Sequence, residues 1–298
     1  MPRKIESAIL IIFLISCTRT SFSVLYDTCC GTPSGDIYVV RKEKTSIQEY
    51  NVFGGYYESN YSRSPATRTS LMRMDTIGGK EEVAIVYPQE ILWSRLEDLN
   101  ISSNKEFYSF SYRETLYLLS FQDTSCHAIV DSATNPFFFP DGESLLFERG
   151  TGIYVYRIRD GTSSEFLDSA SFPSIDSAGK YLCFMRDTFS IVMDLETGVE
   201  VFKDTSIHYP RISPDGSKVI GLRFSGELAI FDRTTGNLIT QINLIGASAL
   251  CPSRPSFVGN DMVVYRGYSA GSILKAIYLL NLNNKHTHIL AKEFVTFN

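Results

Sequence analysis

The stretch Pro210-Arg211-Ile212-Ser213-Pro214-Asp215-Gly216, with the hairpin Asp232-Arg233-Thr234-Thr235-Gly236 that follows it, decides the fold of this chain. Proline presets φ at the first turn position and glycine accepts positive φ, so Pro214-Asp215-Gly216 must reverse the chain. Ile212 is then expected to open an inner strand A, Lys218 to Phe224 to form strand B, Glu227 to Asp232 strand C and Asn237 to Ile242 strand D. Gly236 takes the left-handed position of a bulged turn between C and D. Apolar alternation in Ile153-Tyr154-Val155-Tyr156 and Ile191-Val192-Met193 supports strands, and no helical period of useful length competes.

The same phrase recurs at Pro136-Phe137-Phe138-Phe139-Pro140-Asp141-Gly142 and at Pro173-Ser174-Ile175-Asp176-Ser177-Ala178-Gly179, spaced 37 residues apart and 37 from Pro210. A fixed period near 40 with four short strands per unit is the mark of a propeller blade. Leu99 to Lys105 carries a degraded copy 37 residues before Pro136, and Pro255 to Asn260 another, 45 residues after Pro210. Hairpins between strands C and D can be placed near Ile37, Leu71, Leu116, Ile153, Ile191, Leu228 and Ile277. The fold expected is therefore all-β, a single propeller of seven four-stranded blades, with six as the alternative because residues 51 to 98 carry little periodic signal. The terminal run Phe294-Val295-Thr296-Phe297 reads as an inner strand with no blade after it, and the hairpin near Ile37 as one with no inner strand before it. Pairing of the two would close the ring and hide edges that otherwise template aggregation.

Residues 1 to 16 read as a lipoprotein signal peptide and 17 to 298 as the propeller domain. Arg3 and Lys4 form a positive n-region, and Ala8 to Ile15 an apolar core too short to span a bilayer. The run Leu14-Ile15-Ser16-Cys17 resembles a bacterial lipobox, which implies cleavage before Cys17 and a diacylglycerol on its thiol. Two or more acyl chains hold a protein stably on a membrane. The residue after the cysteine, Thr18, rather than an aspartate, favours the outer membrane, facing the periplasm; secretion is the alternative.

A net charge of −5 with no block of Lys or Arg argues against a nucleic-acid partner, since little here would displace counterions from a phosphate backbone. Lipidation of Cys17 would leave Cys29, Cys30, Cys126, Cys183 and Cys251, an odd number. Cys183, within Tyr181-Leu182-Cys183-Phe184-Met185, reads as a small buried hydrophobe. A disulfide from Cys29 or Cys30 is open, with no partner indicated by spacing.

The Pro-x-x-Ser-Pro-Asp-Gly phrase followed by an Asp-x-x-Thr-Gly hairpin resembles the WD-repeat-like propeller repeat of the TolB type, most closely over Pro210 to Gly236. TolB proper carries an α/β domain ahead of its propeller, whereas strands here begin almost at once. The hairpins Ser190 to Val201 and Glu227 to Ile239 are also similar to repeats of the propeller lipoprotein of the outer-membrane β-barrel assembly machinery. That family and its quinone-binding relatives place a tryptophan after the Thr-Gly turn. This chain has Val201 and Ile239 there and a single tryptophan, Trp93, so no cofactor is expected.

Gly267-Tyr268-Ser269-Ala270-Gly271 matches the hydrolase nucleophile elbow, but that chemistry needs an acid and then a histidine after the serine. Beyond Gly271 there is no Asp, and His286 and His288 precede the only Glu, Glu293. His286 and His288 share one face of a strand, yet no third metal ligand is visible. Asp141 and Asp215 recur at equivalent turns, as turn formation requires, whereas catalytic acids would be unique. Asn60-Tyr61-Ser62 and Asn100-Ile101-Ser102 fit the glycosylation pattern by chance, Asn100 falling in an inner strand.

Function is then sought in geometry. Loops from strand D of one blade to strand A of the next converge on one mouth of the central channel. There the chain offers Asn135, Phe172, His208, Tyr209 and Arg254; Tyr and Arg are favoured interface anchors. The expectation is a non-enzymatic envelope scaffold that binds another envelope protein or a cell-wall component through one propeller face, touching the membrane only by its lipid. The alternative is a propeller enzyme acting on carbohydrate or peptide, with acids at the channel mouth.

Overall fold

The structure is a computed structural model, and it describes residues 16–51, 68–77, 79–85, 97–244, 254–268 and 275–297. The signal residues 1 to 15, Asn60, Trp93, Cys251 and Ser269 to Gly271 lie outside these. Six antiparallel sheets are present. Blade 1 comprises β1 (Ser16–Gly31), β2 (Ile37–Asn51), β3 (Arg68–Met74) and β4 (Lys80–Ile85). Blade 2 comprises β5 (Glu97–Ile101), β6 (Phe107–Tyr112), β7 (Thr115–Ser120) and β8 (Cys126–Asp131). Blade 3 comprises β9 (Ala133–Phe138), β10 (Ser144–Arg149), β11 (Gly152–Arg157) and β12 (Thr162–Leu167). Blade 4 comprises β13 (Ser171–Ile175), β14 (Tyr181–Arg186), β15 (Phe189–Asp194) and β16 (Glu200–Asp204). Blade 5 comprises β17 (His208–Ile212), β18 (Lys218–Leu222), β19 (Glu227–Asp232) and β20 (Leu238–Asn243). Blade 6 comprises β21 (Ser256–Val258), β22 (Met262–Tyr268), β23 (Lys275–Asn281) and β24 (Thr287–Lys292), after which comes β25 (Phe294–Phe297).

The expected seventh blade does not exist. Ile37 opens β2 and Leu71 lies in β3, two neighbouring strands of one sheet, so the two hairpins assigned to separate blades belong to blade 1. Its inner strand is β1, which turns into β2 through Thr32-Pro33-Ser34-Gly35 rather than through a Pro-Asp-Gly phrase. The terminal strand does pair with the N-terminal blade, Phe294 to Phe297 against Val24 to Ser21. It adds to β1 as a fifth strand instead of supplying strand A.

Middle strands are buried on both faces, because each sheet is sandwiched between its neighbours. Leu182, Cys183 and Phe184 in β14 and Leu228, Ala229 and Ile230 in β19 are all buried. Outer strands such as β12 and β20 are mostly exposed. Between blades 4 and 5, Cys183, Val192 and Phe202 pack on Val219, Ala229 and Phe231. Cys29, Cys30, Cys126 and Cys183 are free thiols; burial pushes Cys183 up to about 12, as befits a core residue, with Arg211 and Ser174 opposing the rise. The turn aspartates act as expected: Asp141 Oδ1 accepts from the Glu143 and Ser144 amides at 2.8 and 3.1 Å, and Asp215 Oδ1 from the Ser217 amide at 3.0 Å.

The ring closes where blade 1 meets blade 6. Val24, Tyr26, Ile37, Val39 and Met74 share a core with Val258, Val264, Ile277 and Leu279. The Gly31 amide donates to Ser256 Oγ at 3.1 Å and the Gly259 amide to the Thr32 carbonyl at 3.0 Å. Glu293 bridges the same seam, accepting from the Tyr26 amide at 3.1 Å and the Lys275 amide at 2.8 Å.

Asp36 ties blade 1 to blade 2 through Lys105 Nζ at 2.7 Å, and to β3 through Arg73. Its burial would raise the carboxyl, but hydrogen bonds from Lys105, Ser34 and Arg73 override it and hold it down at about 2. A depressed carboxyl contributes in full above the unfolded aspartate value near 4, and loses that contribution as pH falls toward 2. With both cationic partners partly exposed, the screened effect is about 1 kcal/mol. Urea unfolding of Asp36→Asn should therefore differ from the parent by about 1 kcal/mol at pH 6, with the gap shrinking between pH 4 and 2. A gap constant with pH would contradict this.

Candidate axial site

The inner strands begin earlier than the turn phrase suggests, and the reason builds the site. β17 starts at His208, two residues ahead of Pro210, and Ile212 ends it rather than opening it. The pairing register shifts between His208 and Arg211, and likewise between Ser171 and Ser174 and between Glu97 and Asn100. Each shift is a β-bulge, a place where a proline lacking an amide is tolerated. The residue before each proline or its equivalent is left-handed: Asp98, Asn135, Phe172 and Tyr209 have φ of 57, 55, 55 and 52°. Such a φ is a true outlier for bulky Phe and Tyr, and strain of about 1 kcal/mol or more per residue persists only where its surroundings over-determine it. Bulges re-aim side chains, and here four of them come from equivalent points on four blades.

These side chains meet across the axis. Arg254, the equivalent residue of blade 6, forms an ion pair with Asp98 of blade 2. Its guanidinium also lies 4.9 Å from the Phe172 ring and 5.6 Å from the Tyr209 ring. Phe172 and Tyr209 pack edge to face at 4.8 Å. Blades 2 and 6, and blades 4 and 6, are not neighbours, so contacts between them can form only at the centre of the ring. Asp98 Oδ2 accepts from Ser111 Oγ at 3.0 Å and more weakly from the Asn135 amide at 3.4 Å. Glu148 Oε2 accepts from Asn135 Nδ2 at 2.6 Å and from the Phe172 amide at 3.2 Å.

Four of the five residues singled out from sequence, Asn135, Phe172, Tyr209 and Arg254, therefore come together. His208 packs instead against Phe224 in a tilted pair, with ring centroids 4.0 Å apart. Asp98 and Glu148 were missed. Asp98 could have been found, since it stands 37 residues before Asn135 in the same register. Cys17 lies in β1 opposite Tyr50. His286 and His288 are 3.1 Å apart on an exposed edge, and among the described residues no three metal-ligating side chains gather.

One step further along each inner strand is a second ring of equivalent positions: Cys30, Asn100, Phe137, Ser174, Arg211 and Ser256. At three of them a polar side chain accepts the next blade's amide. Asn100 takes Phe138 N at 3.0 Å, Ser174 takes Ile212 N at 3.1 Å and Ser256 takes Gly31 N at 3.1 Å. Cys30, Phe137 and Arg211 break the pattern. The Arg211 guanidinium donates to the Pro173 carbonyl of neighbouring blade 4 at 2.8 Å, and lies 5.5 Å from the Phe137 ring of blade 3, which is not a neighbour. Burial lowers Arg211 to about 10, and the positive charge of Arg254 adds to the shift while Asp98 opposes it.

Below this level runs an axial cavity of about 190 Å³ lined from all six blades, including Gly31, Asn100, Phe137, Ile175, Arg211 and Phe257. Exposed Pro33, Ser103 and Ser177, in turns between strands A and B, line its outer end, so it opens on that face. Its other end is where Asp98, Arg254, Phe172 and Tyr209 converge.

A scan against protein-family models finds no match, and neither does a search of curated proteins. Among solved structures the chain is similar in fold to a putative TolB from Agrobacterium tumefaciens, at a TM-score of 0.55 and 15% identity over 95% of this chain and 98% of that one. With the sheet order above, this makes the chain a six-bladed propeller of TolB-like fold.

Proposed function

We propose that this chain is a non-enzymatic binding protein of the bacterial envelope, anchored by a lipid on Cys17 and engaging an envelope protein or cell-wall component through one propeller face. The functional part rests on fold analogy and on the axial site. The observation that supports a particular face is the path of β1. Its residues from Cys17 to Tyr26 run past the blade on the side of the D-to-A connections, as a long hairpin with β2. At ~3.3 Å per residue that hairpin is about 30 Å long. A lipid at its tip would hold that side toward the membrane and turn the open A-to-B mouth outward, toward a soluble partner.

A second reading has one observation in its favour: two carboxylates, Asp98 and Glu148, both meet Asn135. Asp98 Oδ1 already accepts from Arg254 and its Oδ2 from Ser111, while Glu148 Oε2 accepts from both Asn135 and Phe172. An acid–base pair needs an oxygen facing substrate, and the arrangement fits a structural plug better.

Cys17→Ser should move the protein from the membrane fraction to the soluble one, with loss of acyl mass from its N-terminus. Photo-crosslinkers at Ser103 and Ser177 should then trap a discrete species that the same probe at Phe166, on outer strand β12, does not. Equal trapping at all three positions would contradict the proposed face.

A further inference from the structure

We infer that the axial cavity is a binding site for a small monocarboxylate carrying an apolar body about the size of one aromatic ring, with Arg211 as the residue that takes the carboxylate. The inference rests on the reading of the channel as the functional element, and adds to it the chemistry of a ligand. Its starting point is two of the three exceptions in the second ring, Phe137 and Arg211, the third, Cys30, being a small residue buried in the core between blades 1 and 2. Hydrogen bonds between inner strands explain Asn100, Ser174 and Ser256. Nothing in ring closure requires an arginine at position 211 or a phenylalanine at 137.

Arg211 carries a charge into a cavity whose walls include Phe137, Phe138, Phe139, Ile175 and Phe257. Among the described residues it has no carboxylate within ion-pair distance; its hydrogen bond goes to the Pro173 carbonyl and one face stacks on Phe137. Asp98, the nearby acid at the closed end, is paired to Arg254 instead. The acid of the cavity wall, Asp176, is engaged by its own loop through Oδ1, which accepts from the Lys180 and Tyr181 amides at 2.8 Å each, and its Oδ2 lies toward Gly216. A guanidinium presents five donors in a fixed fork, and one bond to a carbonyl leaves most of that fork free for a planar anion. A desolvated cation beside apolar walls thus favours a ligand with one negative group and an apolar remainder.

Size narrows the class. A dry cavity of about 150 Å³ takes a benzene molecule. The volume here, about 190 Å³, admits one ring and a short acid arm, and is too small for a folded partner.

The test uses the mature full-length chain and three probes, 3-phenylpropionate, the neutral 3-phenyl-1-propanol and the cationic 3-phenylpropylamine, titrated calorimetrically. The acid should bind saturably, about 10- to 100-fold more tightly than the alcohol, as loss of a charge-assisted hydrogen bond implies. The amine should not bind. Arg211→Met should bring the acid down to the alcohol's affinity without changing the alcohol, and Arg211→Lys should retain part of the preference. The wild-type comparison of acid with alcohol needs no variant, so it stands even if Arg211→Met fails to fold. Equal affinity for acid and alcohol would overturn the carboxylate assignment while leaving a ligand-binding channel. Absence of binding by all three would overturn the site itself, and crosslinking from Ser103 and Ser177 would still report on the outer face independently.

Discussion

Gly31→Val should lower the unfolding free energy by about 3 kcal/mol, because it drives a wedge into the seam that closes the ring. A Cβ at Gly31 would collide with the Phe257 carbonyl oxygen and stand 2.5 Å from Val258 Cγ2. The first of these is backbone of the next blade and cannot rotate aside. Relief would require β1 and β21 to part, which breaks the bond from the Gly31 amide to Ser256 and opens the core shared by Val24, Ile37, Val258 and Ile277. Gly198→Ala is the matched control. It sits at φ +69° with nothing within 4 Å of an added Cβ, so it should cost only about 1 kcal/mol of backbone strain. Urea midpoints would separate the two, and a Gly31 variant no worse than the Gly198 variant would mean blades 1 and 6 are not joined as described.

Arg254→Met should cost about 3 kcal/mol as well, for an electrostatic reason. The Asp98 side chain is only 8% exposed, while that of Arg254 is 26% exposed. Removing the guanidinium leaves a nearly buried carboxylate hydrogen-bonded by only the Ser111 hydroxyl and the Asn135 amide, with the Arg211 charge further off and outside ion-pair distance. Methionine keeps most of the apolar stem but takes the cation away from the Phe172 and Tyr209 rings, so the loss reports the charge, in its ion pair and its two ring contacts, more than packing. The converse change, Asp98→Asn, should cost less, since Arg254 can turn its charge toward solvent. Equal or smaller loss for Arg254→Met than for Asp98→Asn would argue against the burial described.

How far the residues alone could be read follows from where turns have chemistry. The Pro-Asp-Gly turns of blades 3 and 5 and the Asp-x-x-Thr-Gly turns of blades 4 and 5 impose their reversals locally, and blades 3 to 5 are legible almost strand by strand. Blade 1 is not, because Thr32 to Asp36 makes its turn through a threonine hydroxyl and carbonyl instead. That is why Ile37 read as the start of a separate hairpin and the blade count rose by one. The bulges in the inner strands of blades 2 to 5 were also illegible. Those of blades 4 and 5 depend on left-handed Phe172 and Tyr209, conformations that local preference opposes and only the assembled ring enforces. Four of the five candidate residues nevertheless gathered, since equivalent positions of a closed ring must converge, while His208, one position off that register, did not. Their partners did not show: a contact between Asp98 and Arg254 spans 156 residues, and no period announces it.

That contact offers the sharpest test of a closed six-bladed ring. A double-mutant cycle on Asp98→Asn and Arg254→Met, read by urea unfolding, should give a coupling energy of about 2 kcal/mol, since the two side chains touch only if blades 2 and 6 face each other across the axis. Additive effects, within about 0.5 kcal/mol, would show that the two residues never meet and would contradict the ring.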